Sequence, residues 1–422
     1  MKKIGIIGSG FSSLSAACYL AQAGFDVYVF EKNKTLGGRA RQLKKDGFTF
    51  DMGPTWYWMP DVFEKFFLDF NKKPSDFYEL EKLSPGYKVF FGKNDSITIS
   101  DQLNQIYSAF EKEEKGSSIQ LKKFLKLAEK NYDIAIKDLV YNPGISPLEL
   151  ISLKTALEVN QFITTIHTFV KKRFKSPKLR QIMEFPVLFL GAKPEKTPLF
   201  YSFMNYADFV LGTWYPKGGM YSVVNGIIDL ATSLGVTFEK EAAIEKINIH
   251  ESNVASLTVN GITHKFDYVV SGADYHHTET LLLPEYRNYK DSYWKKKVMA
   301  PSALLFYVGF DKKIKNVLHH TLFFDESFTE HAVEIYDTPK WPKKPLFYAS
   351  FPSITEPELA PDTTKETAIF LIPIAPDLVD TNETRNSYFE MIIGRLESLT
   401  GQDLRGDVCL LYTSPSPRDK RQ

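Results

Sequence analysis

The sequence predicts an α/β fold, a Rossmann-like domain interrupted by an inserted α+β domain, and three observations predict it. A short apolar run, Lys3 to Ile7, leads into Gly8-Ser9-Gly10-Phe11-Ser12-Ser13 and then a helix-forming stretch. A second apolar run, Asp26 to Phe30, ends on the acid Glu31. Further strand-like runs return at 236–238, 266–270 and 303–310, while 61–211 is largely helical in pattern.

Each element of the opening unit has a physical reason. Lys3 to Ile7 is nearly all apolar, as a strand buried in a parallel sheet requires. Gly8 permits a tight turn, and Gly10 lets backbone approach a pyrophosphate at a helix N-terminus, where free amides and the dipole favour an anion. Phe11 and Ser12 continue the glycine turn, and Ser13 stands at the third glycine position, which serves close helix–strand packing. Ser15 to Ala23 is rich in Ala and Leu, and Gly24 stops it just past its end. Glu31 then arrives about 20 residues after the motif, placed to accept hydrogen bonds from ribose hydroxyls. Lys2 and Lys3 before an apolar stretch also resemble a secretory leader, but Gly5, Gly8 and Gly10 would break its helix.

The next segment favours FAD over NAD. Gly37, Gly38 and Arg39 follow the acid and Lys32 closely, offering a second close backbone approach and a planar cationic fork. Gly47 to Thr55 (GFTFDMGPT) reads as a small hairpin returning to the cofactor. Together these residues resemble the opening of the bacterial-type phytoene desaturases, the FAD-dependent carotenoid desaturase and isomerase family. The βαβ and GGR parts are shared with the wider GR2-type, amine-oxidase-like flavoproteins; the DxGPT continuation is more specific to carotenoid enzymes. Similarity continues through Trp214-Tyr215-Pro216-Lys217-Gly218-Gly219-Met220, Ser271 to Asp274, His319 to Phe324 and Phe351-Pro352-Ser353.

The resemblance implies a Rossmann-like FAD-binding domain from 1–60 plus 212–294, and an inserted α+β substrate domain from 61–211 plus 295–400. It implies a cofactor set of Gly8, Gly10, Phe11, Ser12, Ser13, Glu31, Lys32, Gly37, Gly38, Arg39, Gly53, Pro54, Thr55, Ile244 and Ala273. Ile244 is expected to meet the adenine through its backbone. The implied reaction is hydride transfer from a carotenoid precursor, phytoene first, to the flavin, with a base, water or flavin atom taking the proton and quinone or oxygen taking the electrons. Related readings on the same scaffold are 3,4-desaturation of a hydroxylated carotenoid, polyene isomerisation and retinoid saturation. A different class is a non-catalytic prenyl or lipid carrier resembling the Rab GDP-dissociation inhibitors.

Composition bounds the rest. The 422 residues carry 52 Lys plus Arg against 51 Asp plus Glu, a net charge of +1, which removes the electrostatic case for a nucleic-acid partner. Aromatic residues make up 14% of the chain, a load that suits deep apolar walls for a long polyene as well as core filling. Trp56, Tyr57 and Trp58, directly after the hairpin, are the candidate substrate walls. Two cysteines, Cys18 and Cys409, make no disulfide framework, which fits a reducing cytoplasm. No His, Cys and carboxylate cluster has metal spacing, so no metal site is assigned. The adjacent pairs His276-His277 and His319-His320 are expected to point apart. Catalytic residues are not identified; Glu149 reads as a surface carboxylate rather than a base.

From Phe162 to Arg180, Phe162, Ile166, Phe169, Val170 and Phe174 fall on one helical stripe. Six positive charges lie within residues 171–180, with no acid among them. This predicts a basic amphipathic helix resting on an anionic membrane, placing the protein peripherally on the inner face of the cell membrane. Residues 401–422, with the polar end TSPSPRDKRQ, read as a non-native or disordered tail replacing the family's closing flavin segment. Weak FAD binding is expected of such a chain.

Overall fold

A computed structural model describes the chain except residues 147, 148, 150–154, 156, 157, 252 and 416–422. Its first unit is β1 (Lys3–Ile7), α1 (Phe11–Gln22) and β2 (Asp26–Glu31), with β1 central because its side chains are buried on both faces. Four parallel strands form the sheet in the order Tyr268–Ser271, β1, β2, Thr237–Lys240. One face packs on α1 and helix Met220–Ser233 through Leu14, Ala17, Val223 and Ile227. The other is covered by an antiparallel meander, Ile244–His250, Asn253–Val259 and Ile262–Lys265, through Phe30, Leu257 and Phe266.

A second, seven-stranded sheet runs in the order Val408–Pro415, Ser302–Phe310, Glu366–Ile374, Phe347–Ser350, His320–Phe323, Tyr87–Gly92, Asp95–Ile99. Helix Asn382–Thr400 covers one face through Tyr388, Ile392 and Leu396. Helices Leu103–Glu113, Ser117–Tyr132, Ile166–Arg173 and Pro177–Glu184 contribute to the other core. The hairpin β3 (Gln42–Lys45) and β4 (Phe48–Asp51) ties the two halves together: Phe48 and Phe50 are buried against Leu305, Tyr307 and Ile369 of the large sheet.

Three expectations are corrected. Residues 61–82 are expected in the substrate domain, but Phe67, Phe70 and Tyr78 lie in the nucleotide-side core, and Leu80–Lys82 pairs with Trp214–Pro216. The crossing therefore falls near residue 83. The end of the chain is not wholly a tail either, because Val408–Pro415 completes the large sheet against Ser302–Phe310. Val408 to Tyr412 is apolar, with Leu410 buried beside Phe48, and the polar composition begins only at Thr413. Finally, Phe162 to Arg180 is not one helix: Val159–Ile163, Ile166–Arg173 and Pro177–Glu184 are separated at Thr164-Thr165 and before Pro177, whose ring suits a helix start. Ile166, Val170 and Phe174 are fully buried in the helical core, and Phe162 and Phe169 pack partly buried beside it, so most of the stripe is core packing. Its charges are partly spent as well, with Lys178 paired to Asp95 at 2.8 Å and Arg180 donating to Phe174 O at 2.7 Å.

Candidate active site

Gly8 turns the chain with φ +84°, its N–H donating to Phe30 O at 2.8 Å. Gly10 caps α1, and a Cβ built on it would meet no atom within 4 Å. An open side thus lies at the helix N-terminus, where the first-turn amides of Phe11, Ser12 and Ser13 have no intrahelical acceptor. Ser13 is buried behind them, its Oγ 1.9 Å from where a Cβ on Gly272 would sit. The side chain gained at the third glycine position is matched by one missing across the contact.

The GGR segment closes against this turn. Gly37 N donates to both the carbonyl and the Oγ of Ser9 at 3.1 Å, and a Cβ on Gly38 would approach Gly10 Cα to 3.0 Å. Gly53 passes so near that its Cβ would lie 2.2 Å from Arg39 O. Just before it, Asp51 accepts from Met220 N at 2.8 Å, anchoring the N-terminus of the return helix. Burial pushes the Asp51 carboxyl up to about 7.

Glu31 is 3% exposed and accepts four hydrogen bonds from the protein. One carboxylate oxygen accepts from Ser9 N (3.1 Å) and Ser9 Oγ (2.5 Å), the other from Asn33 N (3.0 Å) and Asn33 Nδ2 (2.5 Å). Ala242 N donates to Glu31 O at 2.9 Å, which brings half-buried Ile244 near the acid's strand. Ala273 N lies 3.9 Å from the Cβ position of Gly8. Lys32, Arg39 and Pro54 are exposed around this cradle. Free amides suit a pyrophosphate, the carboxylate suits ribose hydroxyls, and glycines stand where a Cβ would strike backbone or fill the open side. This donor set fits FAD.

Beyond Thr55 the three aromatic wall candidates separate. Trp56 and Trp58 pack against the substrate-domain core, whereas Tyr57 is 1% exposed in the nucleotide-side core, its hydroxyl 2.9 Å from that of Tyr78. Alternation along an extended segment, with Trp214 N bonded to Tyr57 O, sends Tyr57 the other way. It is therefore not a wall residue.

The structure also brings in residues that spacing did not show. His320 stacks on Trp56 at 4.1 Å and 9°, and its Nδ1 shares a 2.7 Å hydrogen bond with Tyr348 OH, itself 2.9 Å from Thr55 Oγ1. His319 and His320 do not point apart; their ring centroids are 4.4 Å from each other. Tyr87, 5.3 Å from Trp56 on another side, donates to Asp208 at 2.7 Å. Burial pushes Asp208 up to about 8 and His319 down to about 3, and it holds His320 well below the usual imidazole range. The only sequence signal for these groups was the HHTLFF segment. Glu149 is a loop cap, accepting from the amides of Gly144, Ile145 and Ser146.

Comparison with known proteins agrees with this geometry. The family model for flavin containing amine oxidoreductase matches residues 11–360. The chain is 42% identical over 404 residues to a carotenoid 3,4-desaturase of Haloarcula japonica, covering 95% of this chain and 81% of the relative. It is 30% identical over 421 residues to a 4,4'-diapophytoene desaturase of Staphylococcus haemolyticus, covering 96% and 83%. An oxidoreductase structure from Methanosarcina mazei superposes with a TM-score of 0.68 at 17% identity, over 99% of this chain and 88% of that one, which shows the shared fold. The chain belongs to the flavin-containing amine oxidoreductase family and, within it, to the FAD-dependent carotenoid desaturases.

Proposed function

We propose that the protein dehydrogenates the 3,4 carbon pair of a carotenoid, extending a polyene that is already conjugated. One observation supports an uncharged substrate: the Trp56 ring is packed among His320, Tyr348, Tyr87 and Phe185, a wall with no charged side chain in it. Burial holds His320 in its neutral form, well below the usual imidazole range. A neutral, aromatic wall favours a hydrocarbon chain and disfavours an ammonium substrate. The 42% identity to a 3,4-desaturase, against 30% to a diapophytoene desaturase, supports the position of attack.

FAD, when bound, supplies the hydride-accepting ring. The chain's own part is placement. Ser9 and Asn33 fix the Glu31 carboxylate, which would hold the ribose, the free amides of the first turn of α1 would hold the pyrophosphate, and Gly53 lets the Pro54-Thr55 segment close against Arg39. Thr55, Tyr348 and His320 then fix the Trp56 ring, which with Trp58 excludes water from the reacting carbons. Quinone or oxygen would reoxidise the flavin.

Phytoene is the second reading, favoured by the diapophytoene-desaturase relative. Offering the FAD-loaded protein an equimolar pair, phytoene and a carotenoid with a conjugated core but a saturated 3,4 bond, separates them. Selective consumption of the second, with one double bond gained at that position, is expected; selective consumption of phytoene would overturn the proposal.

A further inference from the structure

Residues 283–300 lead from the nucleotide-side domain to strand Ser302–Phe310 and carry an unusual exposed surface. Leu283, Tyr286, Tyr289, Met299 and Val298, the last 93% exposed, all face outward. The aromatic side chains support one another: Tyr289 stacks on Tyr293 at 4.0 Å, and Trp294 lies 5.8 Å from Tyr275. Glu279, 4% exposed, pins this knot by accepting from Trp294 Nε1 at 2.8 Å, Asn288 N at 2.9 Å and Tyr289 N at 3.2 Å. The surface is therefore built rather than loose.

It is also locally cationic. Arg287, Lys290, Lys295, Lys296 and Lys297 face only Glu285 and Asp291 within 283–300, an excess of three on a chain whose net charge is +1. Asp291 is drawn to Arg287 at 3.6 Å, and Lys297 lies over the Tyr293 ring at 4.4 Å. Tyrosine, tryptophan and lysine side chains with apolar bodies and polar tips favour the boundary between lipid headgroups and acyl chains. Lysines alone would suit any polyanion. Val298, Met299 and Leu283 gain nothing from phosphates but do gain from acyl chains.

The surface also adjoins the substrate side of the molecule. Ala300 Cβ lies 3.4 Å from the Cβ position of Gly191, which ends the turn Phe185–Leu190, and Phe185 is 6.2 Å from Trp56. We propose that residues 283–299 dock the protein on an anionic lipid bilayer, beside the wall that receives the carotenoid. The docking takes over the role expected of the Phe162 to Arg180 stripe. Its link to substrate delivery rests on the carotenoid reading, whereas lipid binding does not.

The test is co-sedimentation of the FAD-loaded full chain with vesicles of phosphatidylcholine, with or without phosphatidylglycerol. The parent should bind only the anionic vesicles. K295Q/K296Q/K297Q should bind them tenfold or more weakly at low salt, since each lysine near such a surface strengthens binding several-fold and salt screens it. V298S/M299S should also weaken binding, whereas K171Q/K172Q should behave as the parent. Unchanged flavin absorption and melting would show that each variant is folded. Parent-like sedimentation of the triple lysine variant would overturn the proposal. So would tighter binding to single-stranded DNA than to the anionic vesicles, which would mark a nucleic-acid surface. Turnover of detergent-dispersed carotenoid, measured separately, keeps failure of the substrate reading distinct.

Discussion

The carbonyl oxygen of Arg39 lies 2.2 Å from the point a Cβ on Gly53 would occupy, so two segments of the cofactor cradle meet through bare backbone. A methyl group there must displace one of them. Gly53→Ala should cost about 1–3 kcal/mol of stability, as overpacking does. It should also loosen FAD, and thermal unfolding with flavin titration checks both. A variant that melts and binds as the parent would show the contact to be dispensable.

Glu31→Ala removes an acceptor held by four protein donors at the end of β2, where the FAD reading puts the ribose. Losing a hydrogen bond to a charged group costs about 1.5–3 kcal/mol, so FAD affinity should fall by roughly 10- to 100-fold. Equilibrium dialysis or flavin fluorescence gives the value directly. Equal affinity in variant and parent would remove Glu31 from the site.

Stability should depend on pH through Asp208. Its folded carboxyl titrates at about 8, far above the value of about 3.9 in an unfolded chain. The folded state thus keeps a proton that the unfolded state releases. Its contribution is complete below about pH 4 and falls as pH rises towards 8. Asp208→Asn retains an acceptor for Tyr87, so its melting temperature should gain on the parent's as pH rises through this window. Parallel curves from about pH 5 to 8 would contradict the assignment.

Trp56 and its neighbour Tyr57 should behave oppositely. Trp56→Leu strips the ring stacked on His320, and kcat/KM should drop about tenfold or more while FAD remains bound. Tyr57→Phe loses the bond to Tyr78 and should cost about 1 kcal/mol of stability with kinetics intact. Steady-state kinetics and melting of the two variants read the contrast.

The βαβ unit was legible because every requirement is local: apolar strand, glycine turn, helix and acid follow one another between Lys3 and Glu31. Ser13 illustrates the limit. Its departure from glycine is visible in sequence, but the matching Gly272 becomes intelligible only once Tyr268–Ser271 pairs with β1. His320, Tyr348 and Tyr87 were hidden for a similar reason, being gathered around Trp56 from distant elements. The basic stripe misled because helical spacing reports that a face is apolar, not what covers it; here the core does. Val408–Pro415 shows the converse, a short apolar run hidden beside a polar end, whose backbone pairs with the edge of the large sheet.

The most direct test of FAD-dependent carotenoid desaturation is an anaerobic single turnover. Oxidised, FAD-loaded protein is mixed with a carotenoid in liposomes without any electron acceptor, and flavin and polyene absorption are followed together. The predicted result is one equivalent of flavin reduced for each double bond formed, with the polyene band moving to longer wavelength and turnover resuming when quinone or oxygen is added. A polyene that isomerises or saturates while the flavin stays oxidised would contradict the account.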